Sequence, residues 1–401
     1  MPSSRATTVT PASARRAAWA VAAVFAVNGM GFATWSSQIP AIKAALRLDP
    51  ATLGALLMCG SVGSLVGLPL AGAVTSRIGA ARTVLAGLAV FVVGLATLGV
   101  ATDLLPQAPL AGVGFALIGL GIGGWDVAMN IEGAAVEQHL GRAIMPWFHA
   151  AFSAGTVLMA LVTAGLSYLH VPVWTHLLAV AVAWPVLGAL AVRGFVPGAD
   201  AEHHEKRPSA ASAWREPRTL LIGVVVLVAA LTEGTANDWV AVAFVDGYEL
   251  PRWAGVLGFA VFLTAMTVGR LLGTAALDRH GRVAVLRVLF VLAAVGSLLV
   301  VFGGPVLAYV GAAIWGVGAS LGFPVGMSAA SDDPHRSAAR VSVVSTIGYL
   351  AFLAGPPFLG SLGNRVGVLH SLLLVGALAV LALALVPATR EETSGQEASA
   401  A

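Results

Sequence analysis

The chain has 401 residues, of which 58% are hydrophobic and 10% charged, with a formal net charge of +3. Soluble domains carry about 25% charged residues, so a water-soluble globule is excluded, and basic residues in short clusters between apolar runs do not form a nucleic-acid face. The lone cysteine, Cys59, leaves no internal disulfide and no multi-cysteine metal centre.

A bilayer-spanning helix needs about 20 apolar residues. Runs of that length are predicted at 17–39, 51–74, 83–101, 109–132, 146–168 and 173–192, then at 219–241, 253–275, 283–302, 305–329, 339–361 and 366–386. The expectation is an all-α polytopic membrane protein with twelve transmembrane helices. Residues 1–16 form an N-terminal tail, in which Arg15 and Arg16 resemble the start of a signal peptide. The apolar run continues past Asn28 to Trp35, however, and reads as a retained helix. The long polar interruption at 193–218, which includes Asp200, His203, His204 and Arg207, reads as a linker between bundles 17–192 and 219–387, and 388–401 is the C-terminal tail.

With the N-terminus inside, 17 of the 22 Lys and Arg residues fall on the inner side. Lys43, Arg47, Arg252 and Arg365 fall outside. This bias places both termini in the cytoplasm of a multi-pass inner-membrane protein. Trp35, Trp174, Trp239 and Trp253 then lie at the outer interface, and Trp19 and Trp147 at the inner one.

The 47 glycines read as packing surfaces, since several pairs are four residues apart: Gly63 and Gly67, Gly119 and Gly123, Gly269 and Gly273, Gly318 and Gly322. Gly114, Gly119 and Gly121 match Gly311, Gly316 and Gly318 at one constant offset. Two six-helix pseudo-repeats account for this.

Asp278-Arg279-His280-Gly281-Arg282 after span 8, and Gly72 with Ser76-Arg77-Ile78-Gly79 after span 2, resemble the cytoplasmic signature loop of the major facilitator superfamily. The first copy departs from the pattern, with Ser76 in place of an acid and Ala80 and Ala81 in place of basic residues. The resemblance implies the major facilitator fold, with helices 1, 4, 7 and 10 around a central cavity, and a gating role for Arg77, Asp278, Arg279 and Arg282. Their alternative is a topology signal alone. Trp125-Asp126 with Asn130, Pro146 with His149, and Thr232-Glu233-Gly234 with Asn237-Asp238 resemble the MosC/YbjJ-type branch.

Polar groups at bilayer depth carry the chemistry, because a charge at a helix centre costs roughly 2.5–3.5 kcal/mol on insertion scales. Spans 3, 6, 9 and 12 have no interior acid and are expected to face lipid. Asn28, Phe32 and Trp35 share one face of span 1, and Glu233 and Asn237 one face of span 7, at matching places in the two halves. Glu233 is the first choice for a titrating group; the alternative is a structural carboxylate bonded to Arg270. Arg270 itself either pairs with an acid or binds an anionic substrate. Asp126 and Asn130 are read as gate, tether or substrate contacts, and Asp238 as a further cavity acid. Glu132 and Glu137 are read as solvated. His149 is a proton relay or a packing histidine, while Trp315 and Tyr349 are cavity aromatics or core.

No Walker loop, dinucleotide fingerprint or HExxH helix occurs, so neither an enzyme nor a cofactor is expected. The expected partners are a small-molecule substrate, protons and the lipid bilayer, and a monomer is expected to suffice. The leading reading is a proton-coupled secondary transporter of a small polar solute, sugar- or polyol-like. Its alternative is a proton-driven exporter of amphiphilic compounds, disfavoured because span 5 lacks a Gly-Pro element and Gly355-Pro356-Pro357 lies on span 11. The alternative of another class is a non-transporting sensor or scaffold on the same fold, disfavoured because a sensor is expected to carry a soluble output domain and the linker and the tail after Pro387 read as too short and polar to form one.

Overall fold

The computed structural model describes residues 11–142, 144–195, 212–333 and 336–391. The tail residue Arg5, most of the linker with its two histidines, and the last ten residues lie outside the described residues. Among the described residues the structure is all helical: α1 (Pro11–Ser36), α2 (Ile39–Ala45), α3 (Pro50–Ile78), α4 (Ala80–Gly99), α5 (Ala108–Leu140), α6 (Met145–Tyr168) and α7 (Val173–Ala191) are followed by α8 (Pro217–Tyr248), α9 (Arg252–Phe302), α10 (Gly304–Ala319), α11 (Gly322–Ala330), α12 (Ser337–Val366), α13 (Val368–Ser371) and α14 (Leu373–Leu383).

The boundaries follow local chemistry. Prolines open α5, α6 and α8 within the first two positions, where the missing N–H would have no intrahelical partner. Carboxylates supply acceptors for other helix starts. Asp49 Oδ1 accepts the Thr52 N–H at 2.7 Å, and Asp103 Oδ2 accepts the Trp174 N–H at 3.0 Å. Glu137 Oε2 accepts both the Ile144 and Met145 N–H groups, at 2.6 and 2.8 Å. Glu137 is therefore a cap for α6, which corrects its reading as a merely solvated acid. Glu132, read the same way, is only 1% exposed.

Among the described residues, ten helical segments are long and apolar enough to cross a membrane. Predicted spans 8 and 9 fall within the 51-residue α9, whose backbone leaves the helical region at Gly281, φ 74° and ψ 165°. A straight helix of that length would run about 76 Å, more than twice a hydrocarbon core of about 30 Å. The left-handed glycine breaks it at the signature loop. Predicted span 10 is two helices, α10 and α11, and predicted span 12 is the shorter apolar segment Val368–Leu383.

The chain divides into two compact units: Met1–Leu48 with Cys59–His203, and Asp49–Met58 with His204–Ala401. In the first unit the glycine pairs foreseen on spans 2 and 4 meet each other. A β-carbon on Gly63 would strike the Ala116 carbonyl, one on Gly119 the Gly60 carbonyl, and one on Gly123 would lie 2.8 Å from the Ser64 carbonyl oxygen. Ser64 Oγ donates to the Gly119 carbonyl at 3.1 Å, sealing this backbone approach. Helices α1 and α6 cross as closely, Gly29 against the Phe152 carbonyl and Gly155 against the Ala26 carbonyl. In the second unit, Gly311 packs on Val300 and Gly318 on Ala293, while Gly273 is covered by Leu321. Small residues thus exchange side-chain volume for backbone contact, the main source of helix association where lipid is as apolar as leucine. Large apolar side chains such as Val182, Leu272, Phe302 and Val306 remain exposed, as a lipid-facing perimeter requires.

Candidate functional site

The second unit carries an ion pair inside its apolar helices. Arg270 Nη2 on α9 lies 2.9 Å from both Glu233 oxygens on α8, and Arg270 Nε donates to the Ser320 carbonyl at 3.0 Å. The Arg270 side chain is 31% exposed and that of Glu233 19%, so the pair borders open space rather than lying sealed in the core. This is the arrangement named above as the alternative for Glu233. One turn along α8, Asn237 lies on the same face, and its amide oxygen is buried without a hydrogen-bond partner among the described residues. Asp238 is half-buried, and no described residue bonds its carboxylate. Buried polar groups left unmatched are costly; a site that awaits a polar ligand is one physical reason to keep them.

Trp315 is fully buried. Its indole N–H donates to the Thr232 carbonyl at 3.1 Å and its ring meets Phe262 edge-on. It therefore supports the helix that presents Glu233. Tyr349 on α12 stands beside Phe323 and Phe352 and is 36% exposed. Trp239, read as an interfacial residue, has no exposure at all, so it packs in the unit instead.

In the first unit, Asn28 is 1% exposed; its amide donates to Met129 Sδ at 3.4 Å and its amide oxygen has no partner among the described residues. Trp35, two turns along α1, sits edge-on between Phe32 and Phe115, with its indole N–H also unpartnered. Asp126 on α5 is half-buried with no bond to its carboxylate from described residues, and Asn130 caps the Asp126 carbonyl at 2.9 Å. His149 is exposed and meets Phe25 edge-on, the packing alternative for that residue. Sequence reasoning missed one pair: Gln38 and His176, both buried, bonded at 3.0 Å between Nε2 and Nδ1. Their separation of 138 positions leaves no local signal.

The foreseen gating residues divide. Arg77, Asp278 and Arg279 are exposed and make no ion pair among the described residues. Arg282 is engaged: it pairs with Asp332 Oδ1 at 2.6 Å and donates to Ser328 Oγ at 3.1 Å, while Asp332 Oδ2 also receives Arg218 at 3.0 Å. Beside them, Glu216 binds Arg340 at 2.7 Å and Arg336 at 3.1 Å. Asp332 and Glu216 were not singled out, because neither stands in a motif or an apolar run.

Partial burial pushes the Glu216 carboxyl up, but hydrogen bonds from Arg340 and Thr219 and the charges of Arg340 and Arg336 outweigh it and hold the group below its ordinary value. A carboxyl whose folded value is depressed stabilises above the unfolded value, about 4.3, and loses that contribution as pH falls through the folded value. Glu216→Gln should therefore lower thermal stability at neutral pH by on the order of 1 kcal/mol. The difference from wild type should shrink as pH falls below the unfolded value and vanish only once it is below the depressed folded value. A difference that persists there would assign the effect to shape rather than charge.

Long apolar helices, close glycine crossings and polar groups held inside them define a multi-pass membrane protein. The chain belongs to the major facilitator superfamily: the Major Facilitator Superfamily model matches residues 21–339 and 253–401. It is 30% identical over 92% of its length to a transporter of Sinorhizobium fredii, covering 97% of that protein. It is 28% identical over 90% of its length to the membrane protein MosC of Rhizobium meliloti, covering 87% of that protein. Among solved structures, a mutant of the nucleoside transporter NupG superposes with a TM-score of 0.77 at 14% identity, over 93% of this chain and 99% of that one. The fucose:proton symporter FucP of E. coli superposes with a TM-score of 0.60 at 13% identity, over 94% and 98%. At such identities the likeness is one of fold. The chain is a transporter and not an enzyme.

Proposed function

We propose that the protein is a proton-coupled secondary transporter of a small polar, hydroxyl-rich solute, working by alternating access as a monomer. The Glu233–Arg270 pair carries the reading. A proton and Arg270 compete for the same carboxylate, so protonation frees the guanidinium, and a solute hydroxyl or carboxylate that takes Arg270 frees Glu233 for a proton. The unmatched amide oxygen of Asn237, one turn away, offers an acceptor for a solute hydroxyl. In the other unit, Asn28 with Phe32 and Trp35 supplies an amide beside aromatic faces, as sugar-like solutes use. Two fold neighbours are named for solutes of this kind, nucleosides and fucose, and the latter for proton symport.

The membrane architecture we propose has twelve spans, counting α9 as two on either side of Gly281 and Val368–Leu383 as a short further one. Two six-helix repeats, 17–192 and 219–387, are supported by equivalent contacts: Gly94 on the Gly114 carbonyl and Gly296 on the Gly311 carbonyl, with positive-φ glycines at 79 and 281. Both termini lie in the cytoplasm in this reading. Reporter fusions after Ala199 and after Gly247 should read cytoplasmic and external, and reversed signals would overturn the orientation.

Proteoliposomes with an imposed pH gradient test the function directly. Nucleosides, hexoses, polyols and amphiphilic cations are offered in turn. Accumulation of at least one hydroxyl-rich solute with the acid side outside is expected. Movement of amphiphilic cations alone would replace the reading with export.

A further inference from the structure

The first unit contains a groove that the transport reading does not use. It encloses about 690 Å3 between the N-terminal turns of α1 and α6 and the end of α5. Helix α1 contributes Arg15, Ala18, Trp19 and Ala22, at i, i+3, i+4 and i+7, so all four share one face. Helix α6 contributes Trp147, Ala151 and Ala154 in the same register. Where the two helices cross, Gly29 and Gly155 bring the backbones into contact. Toward their N-termini, alanines floor the gap and leave it open.

Charge and exposure set this groove apart from a bare lipid-facing surface. Arg15 and Arg142 both line it, both are exposed, and neither has an anionic partner among the described residues. Glu137, whose carboxylate reaches the lining residue Ile144, is taken up by the Ile144 and Met145 N–H groups. Trp19 and Trp147 stand at the edges, 78% and 76% exposed, as amphipathic rings do at headgroup level. A second groove of similar size in the other unit, about 470 Å3 and lined by Leu272, Leu289 and His280 among others, includes no arginine. An apolar channel with two unmatched guanidiniums at its polar end, framed by two interfacial indoles, matches a molecule with an acyl chain and a phosphodiester. Guanidinium binds phosphate oxygens in a bidentate manner, and each basic residue near a membrane surface adds attraction for anionic lipid.

We infer that this groove is a binding site for one anionic phospholipid, its phosphate held by Arg15 and Arg142 and an acyl chain laid along the alanine floor between Trp19 and Trp147. The inference rests on the first unit alone and holds whichever direction, solute or ion the transport cycle uses.

The test titrates the full-length protein in neutral-detergent micelles with phosphatidylglycerol, phosphatidylcholine or inorganic phosphate, counting bound lipid by native mass spectrometry. Wild type should bind one phosphatidylglycerol in preference to phosphatidylcholine. Arg15→Ala/Arg142→Ala should weaken that binding about thirty-fold, from two basic contacts. Arg16→Ala, which removes another exposed charge outside the groove, should leave it unchanged. Ala151→Trp keeps both arginines but fills the floor, and should displace the lipid as well, which preserves the test if the double variant does not fold. Equal binding of both lipids, equal loss in Arg16→Ala, or full competition by inorganic phosphate would overturn the inference, the last by showing an anion site with no acyl component.

Discussion

Glu233→Gln should leave solute exchange across proteoliposomes nearly intact and abolish accumulation under a pH gradient. A gradient of about two pH units corresponds to roughly hundred-fold accumulation for one proton per solute, and the variant should equilibrate near unity. The reason lies in the competition at Glu233, where glutamine keeps the shape and the hydrogen-bonding capacity of the protonated acid but cannot release a proton to take back Arg270. Removing one partner of an interior pair leaves an uncompensated charge, at a cost of about 3–5 kcal/mol where the pair is deeply buried and less at this partly open site. A stability loss could therefore masquerade as a coupling loss. Glu233→Gln/Arg270→Gln separates the two, since replacing both partners removes the orphaned charge. If the pair only braces α8 against α9, the double variant regains accumulation together with stability. If the pair couples, it regains stability and still equilibrates at unity. Normal accumulation in Glu233→Gln alone would move the proton to Asp238 or Asp126, the half-buried carboxylates with no bonding partner among the described residues.

The second large effect belongs to Gly119→Leu. Any β-carbon at this position meets the Gly60 carbonyl and approaches the Ser64 backbone nitrogen to 3.0 Å. Backbone cannot yield by changing rotamer, so α3 and α5 must separate along their length. The expected loss is about 3 kcal/mol or more, beyond ordinary overpacking, read as a collapse in the yield of monodisperse protein. Gly72→Leu, on the same α3 but with nothing within 4 Å of the added carbon, should stay within about 0.5 kcal/mol of wild type. Similar losses in both variants would overturn the contact explanation, since helix propensity alone favours leucine over glycine.

The contrast between these two glycines marks how far the sequence can be read. Spacing of four identified Gly63, Gly67, Gly119 and Gly123 as helix-contact residues because close packing needs smallness on one helical face, which is a periodic property. Gly72 follows in the same helix, five positions after Gly67 and so turned off that contact face, and a β-carbon there would meet nothing within 4 Å. Glu233 and Arg270 were legible as costly groups, and their pairing was one of two arrangements that cost alone allowed. Trp239 has the composition of an interfacial belt residue yet lies fully inside its unit, because depth along a span does not fix which way a face points. Asp332 and Glu216 escaped notice because arginines distant in sequence gather around them, Arg218 and Arg282 for one and Arg336 and Arg340 for the other.

The Glu137 cap bears on how the chain is made. Its carboxylate reaches N–H groups only seven and eight positions ahead, so closing this loop sacrifices little chain entropy and needs no residue from anywhere else in the protein. A nascent chain leaving the ribosome can fasten α5 to the first turn of α6 as soon as Met145 emerges, before the crossing of α6 with α1 is complete. Translation order and the native contact agree at this point, and the step most exposed to misinsertion, a new helix start beside unsatisfied amides, is completed locally.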